Sequence, residues 1–149
     1  MPDKDRIAIW INLVLQQLSQ LDKQRGLEIL HDCGTNCSKI SVLLAGANKI
    51  RNESQMNDDV EHLFKNFKAE YYNSPRLTKS GSKVTLIFKE CTCPLVKAGV
   101  NNSYLCNCTA GYTKNIFESL FGRPVQVKLI KSILNGDNIC MQEILIDNI

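Results

Sequence analysis

No apolar run in this 149-residue chain approaches the about 20 residues that a membrane-crossing helix needs. The most apolar stretch near the N-terminus, Ile7 to Leu15, is broken by Asn12. It is no secretory signal either: Asp3 and Asp5 precede it, Gln16 and Gln17 follow, and no small-residue cleavage site appears. The expectation is a cytoplasmic protein with no membrane partner. Asn-x-Ser/Thr triplets at Asn36, Asn52, Asn101 and Asn107 are then chance matches, because glycan attachment requires export. Charge of one sign is also scarce. Eighteen basic against fifteen acidic side chains leave +3, too little to call for nucleic acid. There is no glycine-rich phosphate loop, no Ser-His-Asp pattern, no carboxylate dyad and no internal repeat. The 44% apolar and 22% charged content excludes a disordered or fibrous chain. The length fits one domain over residues 1–149, with a helical part about 3–68 and a sheet part about 70–147.

The first half has helical period. Ile7, Trp10, Ile11, Val14, Leu18 and Leu21 recur at three- and four-residue steps, which predicts a helix from about Asp3 to Leu21 with that stripe inward. A short helix from about Lys23 to His31 follows, ended by Gly34. A third spans Asn36 to about Ile50 and carries Ile40, Val42, Leu43, Leu44 and Ala47. Asn57 and Asp58 read as caps for a fourth, with Val60, Leu63, Phe64 and Phe67 buried.

The second half changes period. Lys83 to Lys89 is strand-like, and Ser80-Gly81-Ser82 before it predicts a hairpin with Arg76–Lys79. The basic residues Arg76, Lys79, Lys83 and Lys89 read as a protected, solvated sheet edge. Cys91 to Cys108 reads as loop. Thr109 caps a helix from Ala110 to about Phe121, which Gly122 and Pro124 end. Val125–Leu134 and Ile139–Ile146 are strands joined at Asn135-Gly136, a hairpin signal. The order predicts an α+β fold: N-terminal helices packed on an antiparallel sheet of about four strands, with one helix between the two hairpins.

Against these scarcities stand seven cysteines, about 5% of the chain and below the roughly 8–10% of a disulfide scaffold. Their number is odd, so complete pairing within one chain is impossible, and a reducing compartment favours thiols, metal ligands or redox groups. Six fall in pairs: Cys33 with Cys37, Cys91 with Cys93, and Cys106 with Cys108. On a continuous helix Cys33 and Cys37 share a face. In extended chain each Cys-x-Cys points two sulfurs one way. Cys91, Cys93, Cys106 and Cys108 supply the four thiolates that zinc or another soft metal takes, although without the usual Cys-x-x-Cys spacing. Alternatively, Cys108 and Cys106 lie at a helix start, where the backbone N–H groups favour thiolate and a nucleophile. A third reading makes the cysteines small buried hydrophobes; it fits Cys140, in the last strand, best. His31, two residues before Cys33, is a conceivable ligand or base. Tyr71, Tyr72, Tyr104 and Tyr112 flank the cysteines and are able to line a pocket.

The strings Cys106-Asn107-Cys108-Thr109-Ala110-Gly111-Tyr112, Phe121-Gly122-Arg123-Pro124-Val125 and Asn135-Gly136-Asp137-Asn138-Ile139-Cys140 resemble the vinyl-reductase-type ligand-binding domain. With Cys33-Gly34-x-x-Cys37 and Cys91-Thr92-Cys93-Pro94, the chain resembles the cysteine-rich branch named after L-2-amino-thiazoline-4-carboxylic acid hydrolase. The resemblance implies helices on an antiparallel sheet, a small-molecule pocket between them, and binding of a ligand or metal. Where that superfamily often carries another Cys before the final turn, this chain has Ser132.

The leading expectation is a small-molecule- or metal-binding module whose thiol site is drawn from Cys33, Cys37, Cys91, Cys93, Cys106 and Cys108. The alternative is a hydrolase opening a thiazoline-like C–N or C–S bond, with Cys108 or Cys106 as nucleophile and His31 as base. The third is an interaction protein, assembled as a homodimer, whose cysteines merely pack.

Overall fold

A computed structural model describes residues 3–54 and 59–147. Four helices come first: α1 (Asp3–Ser19), α2 (Lys23–Ser38), α3 (Val42–Glu53) and α4 (Val60–Tyr71). Strands β1 (Leu77–Ser80) and β2 (Lys83–Phe88) follow, then a one-turn helix α5 (Pro94–Lys97), a 3-10 turn (Ser103–Cys106) and α6 (Asn107–Phe121). Strands β3 (Val125–Lys131) and β4 (Cys140–Ile146) close the chain. Among the described residues no helix is long and apolar enough to cross a membrane. The α+β architecture is as the change of hydrophobic period predicts.

All pairings in the four-stranded sheet are antiparallel and its order is β1-β2-β4-β3. The last strand is therefore internal, with Leu86 of β2 and Leu129 of β3 on either side of Gln142. Cross-strand partners share a face, so this row looks toward α6 along with Ile144 and Ile146. The first hairpin turns at Gly81 as predicted, with φ +58°. Its basic residues are partly neutralised: Lys79 pairs with Glu61 and Lys83 with Glu143, while the Lys68 ammonium donates to the Leu77 carbonyl.

The main core fills the space between α3, α4, α6 and the sheet. Leu63, Phe67, Leu77, Val84, Leu120, Phe121, Val125 and Ile144 are all but inaccessible there, and each such side chain is worth about 1.5–3 kcal/mol of burial. A second, smaller cluster of Ala8, Leu15, Leu30, Val100 and Leu105 gathers α1, α2 and the loop before α6, with Cys93 and Cys108 packed against it.

Four expectations need correction. The predicted α1 stripe is only in part its buried face: Ile11 and Leu18 pack on the smaller cluster beside buried Ala8 and Leu15, whereas Ile7 is 51% and Trp10 68% exposed. Asn12 Oδ1 accepts from the Asn101 and Asn102 amides at 3.1 and 3.3 Å, which fixes the face of α1 carrying Ala8, Leu15 and Asn12 against the loop before α6. Gly34 does not end a helix. α2 runs through it to Ser38, and α3 starts only after Ser41, whose hydroxyl accepts from the Leu43 amide; Ile40 lies in the turn, 89% exposed. Asn135-Gly136 is not a two-residue hairpin turn but part of a longer connection, with a 3-10 turn at Ile133–Asn135 and Ser132 and Asp137 joined by two hydrogen bonds. Thr109 is not a helix cap, since α6 begins at Asn107 directly behind a 3-10 turn. The predicted caps Asn57 and Asp58 lie outside the described residues; Asp59 caps α4 by accepting from the His62 amide at 2.8 Å.

Candidate functional site

The close crossing of α2 and α6 positions the thiols. A Cβ built at Gly34 would collide with the Cys108 carbonyl oxygen and lie 2.8 Å from the Tyr112 nitrogen. One at Gly111 would collide with the His31 carbonyl. Each helix thus presents a glycine where the other's backbone passes, a contact that no side chain permits. Polar pairs extend the seam: Asn115 Nδ2 donates to Ser38 Oγ at 2.8 Å, and Tyr112 Oη to Ser41 Oγ at 2.7 Å.

Because α2 is continuous, Cys33 and Cys37 stand one turn apart on the same helix, both exposed. Cys91 and Cys93 come from the loop between β2 and α5, Cys106 from the 3-10 turn, Cys108 from α6 and Cys140 from the start of β4. All seven are free thiols. They converge electrostatically on two of their number. Burial pushes the Cys108 thiol up to about 12, and the neighbouring sulfurs of Cys93, Cys37, Cys106 and Cys33 push the same way. Burial likewise raises Cys106; the Ser132 hydroxyl opposes this, while Cys140, Cys91 and Cys93 add to it.

Burial outweighs whatever lowering a helix start supplies, since both thiols are raised and desolvation is the largest cause at each. The 3-10 turn runs straight into α6, and its carbonyls already take the Asn107 amide. The free N–H groups of the combined helix lie back at Asn102, whose side chain accepts from the Tyr104 amide. Desolvation then governs both thiols.

Cys106 is buried, and its sulfur lies 3.1 Å from Ser132 Oγ. Ser132 reaches it through a β-bulge. The β3–β4 register shifts between Leu129 and Lys131, so Lys131 turns outward and Ser132, 5% exposed, turns in. A bulge re-aims the residues beyond it in this way. Cys140, which the sequence suggests is core packing, accepts from the Ile133 amide at 3.3 Å and is among the groups that raise the Cys106 thiol.

Gln142 and Thr109 also stand at these thiols, although a lone Gln in a strand carries no sequence signal. Gln142 is 3% exposed. Its Nε2 donates to Thr109 Oγ1 at 2.9 Å, and Thr109 Oγ1 donates to the Cys106 carbonyl at 2.6 Å. Among the described residues its Oε1 has no hydrogen-bond partner.

His31 is not brought to the thiols. It lines an open groove of about 910 Å³ between α2 and α6, with Glu28, Asp32 and Lys114, and helical spacing sets it about 200° from Cys33 round the α2 axis. A second cleft of about 450 Å³ lies on the Ser132 side, lined by Asn102, Tyr104, Asn107, Leu129, Lys131 and Asp137 among others. Tyr104 is the only one of the four tyrosines on either cleft. Tyr71 packs on Phe67, ring centroids 6.2 Å apart; Tyr72 is half-buried, which raises its hydroxyl's pKa.

For a soft metal the donor chemistry of the thiols is right. Among the described residues no three His, Cys, Asp or Glu side chains are gathered to hold an ion.

No curated protein matches the chain. A family model does match, over residues 2–149, nearly the whole sequence from which α2, the cysteine loop, α6 and β4 are built. The chain belongs to DUF6144, a family of unknown function.

Proposed function

We propose that this protein is a binding module for a small molecule, held at a thiol site between α2, the loop before α5, the start of α6 and β4. The observation that carries the reading is that Cys93 and Cys108, from separate stretches of chain, pack against one small cluster, where α2, the helix of Cys33 and Cys37, touches the Cys108 backbone through Gly34. Packing alone does not require that, since small apolar residues would fill the same space. The sequence resemblance to the vinyl-reductase-type ligand-binding domain points the same way. Free thiols at all seven positions suit a reducing cytoplasm.

Binding is preferred to hydrolysis on a physical ground. With its pKa near 12, Cys108 is thiolate in about one molecule in 10⁵ at pH 7, and His31, the conceivable base, faces a different groove. A thiol kept neutral serves as a soft contact or a weak S–H donor rather than as a nucleophile.

Phenylarsine oxide tests the site directly. Its arsenic forms two As–S bonds with two neighbouring thiols while its oxygen leaves with their two protons as water. The expected result is tight one-to-one retention that Cys108→Ser and Cys93→Ser each weaken. Retention unchanged by both substitutions, or none at all, overturns the proposal. Elemental analysis of protein purified without chelator separates a zinc-loaded chain, with about one equivalent, from a thiol site.

A further inference from the structure

Resting on the thiol-site reading, we infer that the site takes a ligand bearing an N–H or O–H donor, and that Gln142 Oε1 is the acceptor that recognises it. The orientation of the carboxamide follows from its neighbours. The hydroxyl hydrogen of Thr109 goes to the Cys106 carbonyl at 2.6 Å, so Thr109 is able only to accept from Gln142. The nitrogen must face Thr109, 2.9 Å away, and the oxygen must face elsewhere. That oxygen is fully buried and has no partner among the described residues. An orphaned buried acceptor costs about 1–3 kcal/mol, which a strand facing a core would avoid with Leu or Val. Its retention fits a partner that arrives from outside.

The surroundings define what that partner is. Gln142 sits in a row between Leu86 and Leu129, two residues along the same strand face from Cys140. It is tied through Thr109 to the residue that carries the Cys106 thiol. No charged side chain hydrogen-bonds with Gln142, Thr109 or the Cys106 sulfur, and the Asp137 carboxylate nearby already accepts from the Ser132 amide, so at the carboxamide a neutral amide or alcohol fits where an ion does not. The 450 Å³ cleft lies next to this set: Leu129, the cross-strand partner of Gln142, and Ser132, the hydrogen-bond partner of Cys106, are on its wall, with Gln142 and the cysteines behind them. The ligand class is a small neutral molecule with a hydrogen-bond donor beside a group that contacts sulfur.

Two alkylating probes isolate the donor. Iodoacetamide carries an N–H₂ group and its N,N-dimethyl derivative does not; in both, the thiol sulfur displaces iodide from carbon and the thiol proton passes to solvent. Rates at Cys106 and Cys108 are read by peptide mass spectrometry, each divided by the rate for free glutathione. The wild-type chain is expected to favour iodoacetamide at Cys106 by about fivefold, the order of one net hydrogen bond. Gln142→Met, which keeps the length and removes the acceptor, is expected to abolish the preference. Should that variant fail to fold, Thr109→Val, which frees the carboxamide to turn over, is expected to reduce it. Equal rates for both probes in the wild type overturn the inference and leave the thiol-site reading standing. A preference that survives in folded Gln142→Met also overturns it, since size alone or a trapped water then explains the result. If the folded wild-type chain does not retain phenylarsine oxide, inference and thiol-site reading fall together, whatever the ratio of the two alkylation rates.

Discussion

Gly34→Ala places one methyl group where α2 and α6 touch. The added carbon would collide with the Cys108 carbonyl oxygen, 2.8 Å from its carbonyl carbon and 2.8 Å from the Tyr112 nitrogen. These are backbone atoms of a helix and are not able to step aside, so the helices must separate. Overpacking of this kind costs about 1–3 kcal/mol and sometimes more, whereas alanine in place of glycine within a helix returns about 1 kcal/mol. With both contacts against backbone, the upper end applies and the net loss is about 2 kcal/mol. For a chain of this length that lowers the melting temperature by about 6 °C. Gly81→Ala is the control: a Cβ there meets nothing within 4 Å, but φ is +58°, so its cost of about 1 kcal/mol is conformational only. Thermal unfolding followed by circular dichroism measures both. Parting α2 from α6 should also speed alkylation of Cys108, which the Gly81 variant leaves unchanged. A Gly34→Ala protein as stable as wild type, or more stable, would refute the glycine crossing as the feature that positions the site.

Further outcomes follow from the same geometry. Burial raises the Cys108 thiol to about 12, so the folded chain holds that proton at pH values where the unfolded chain, near 8.5, has lost it. Stability from this group is full below the unfolded value and declines as pH rises through the folded one. Cys108→Ser should flatten the fall in melting temperature between about pH 9 and 12 relative to wild type; parallel curves would show that the thiol is not desolvated. Time-resolved alkylation should modify exposed Cys33 and Cys37 first and buried Cys106 last, and early labelling of Cys106 would restore the activated helix start. Phe67→Ala, at 1% exposure between Tyr71 and Phe117, should cost about 3–5 kcal/mol in chemical denaturation. A loss under about 1 kcal/mol would contradict the placement of the main core.

Local patterns revealed much of this molecule. The switch from helical to alternating period located the four helices, the hairpin at Gly81 and the antiparallel strands, because both periods are properties of neighbouring residues. Gly122 ends α6 as read, with φ +64°. What escaped depends on distant partners. Gly34 reads as a helix end until Cys108 is seen against it. Trp10 reads as core until Asn12 is seen holding Asn101 and Asn102. The placing of β4 between β2 and β3 leaves no trace in any one strand. For the site, the six paired cysteines were legible as a set by their spacing. Cys140 and Gln142 were not, since their positions beside these thiols arise from a sheet face meeting α6, and Ser132 reaches Cys106 only through a bulge.

The central claim is that thiols from separate stretches of chain share one site. Dibromobimane, which couples two thiols only when both lie within its short span, tests it most directly when its cross-links are mapped in the folded protein. The account predicts links that join Cys108 or Cys106 to Cys93, Cys91 or Cys37. Links confined to Cys33 with Cys37 on α2, or none at all, would contradict it.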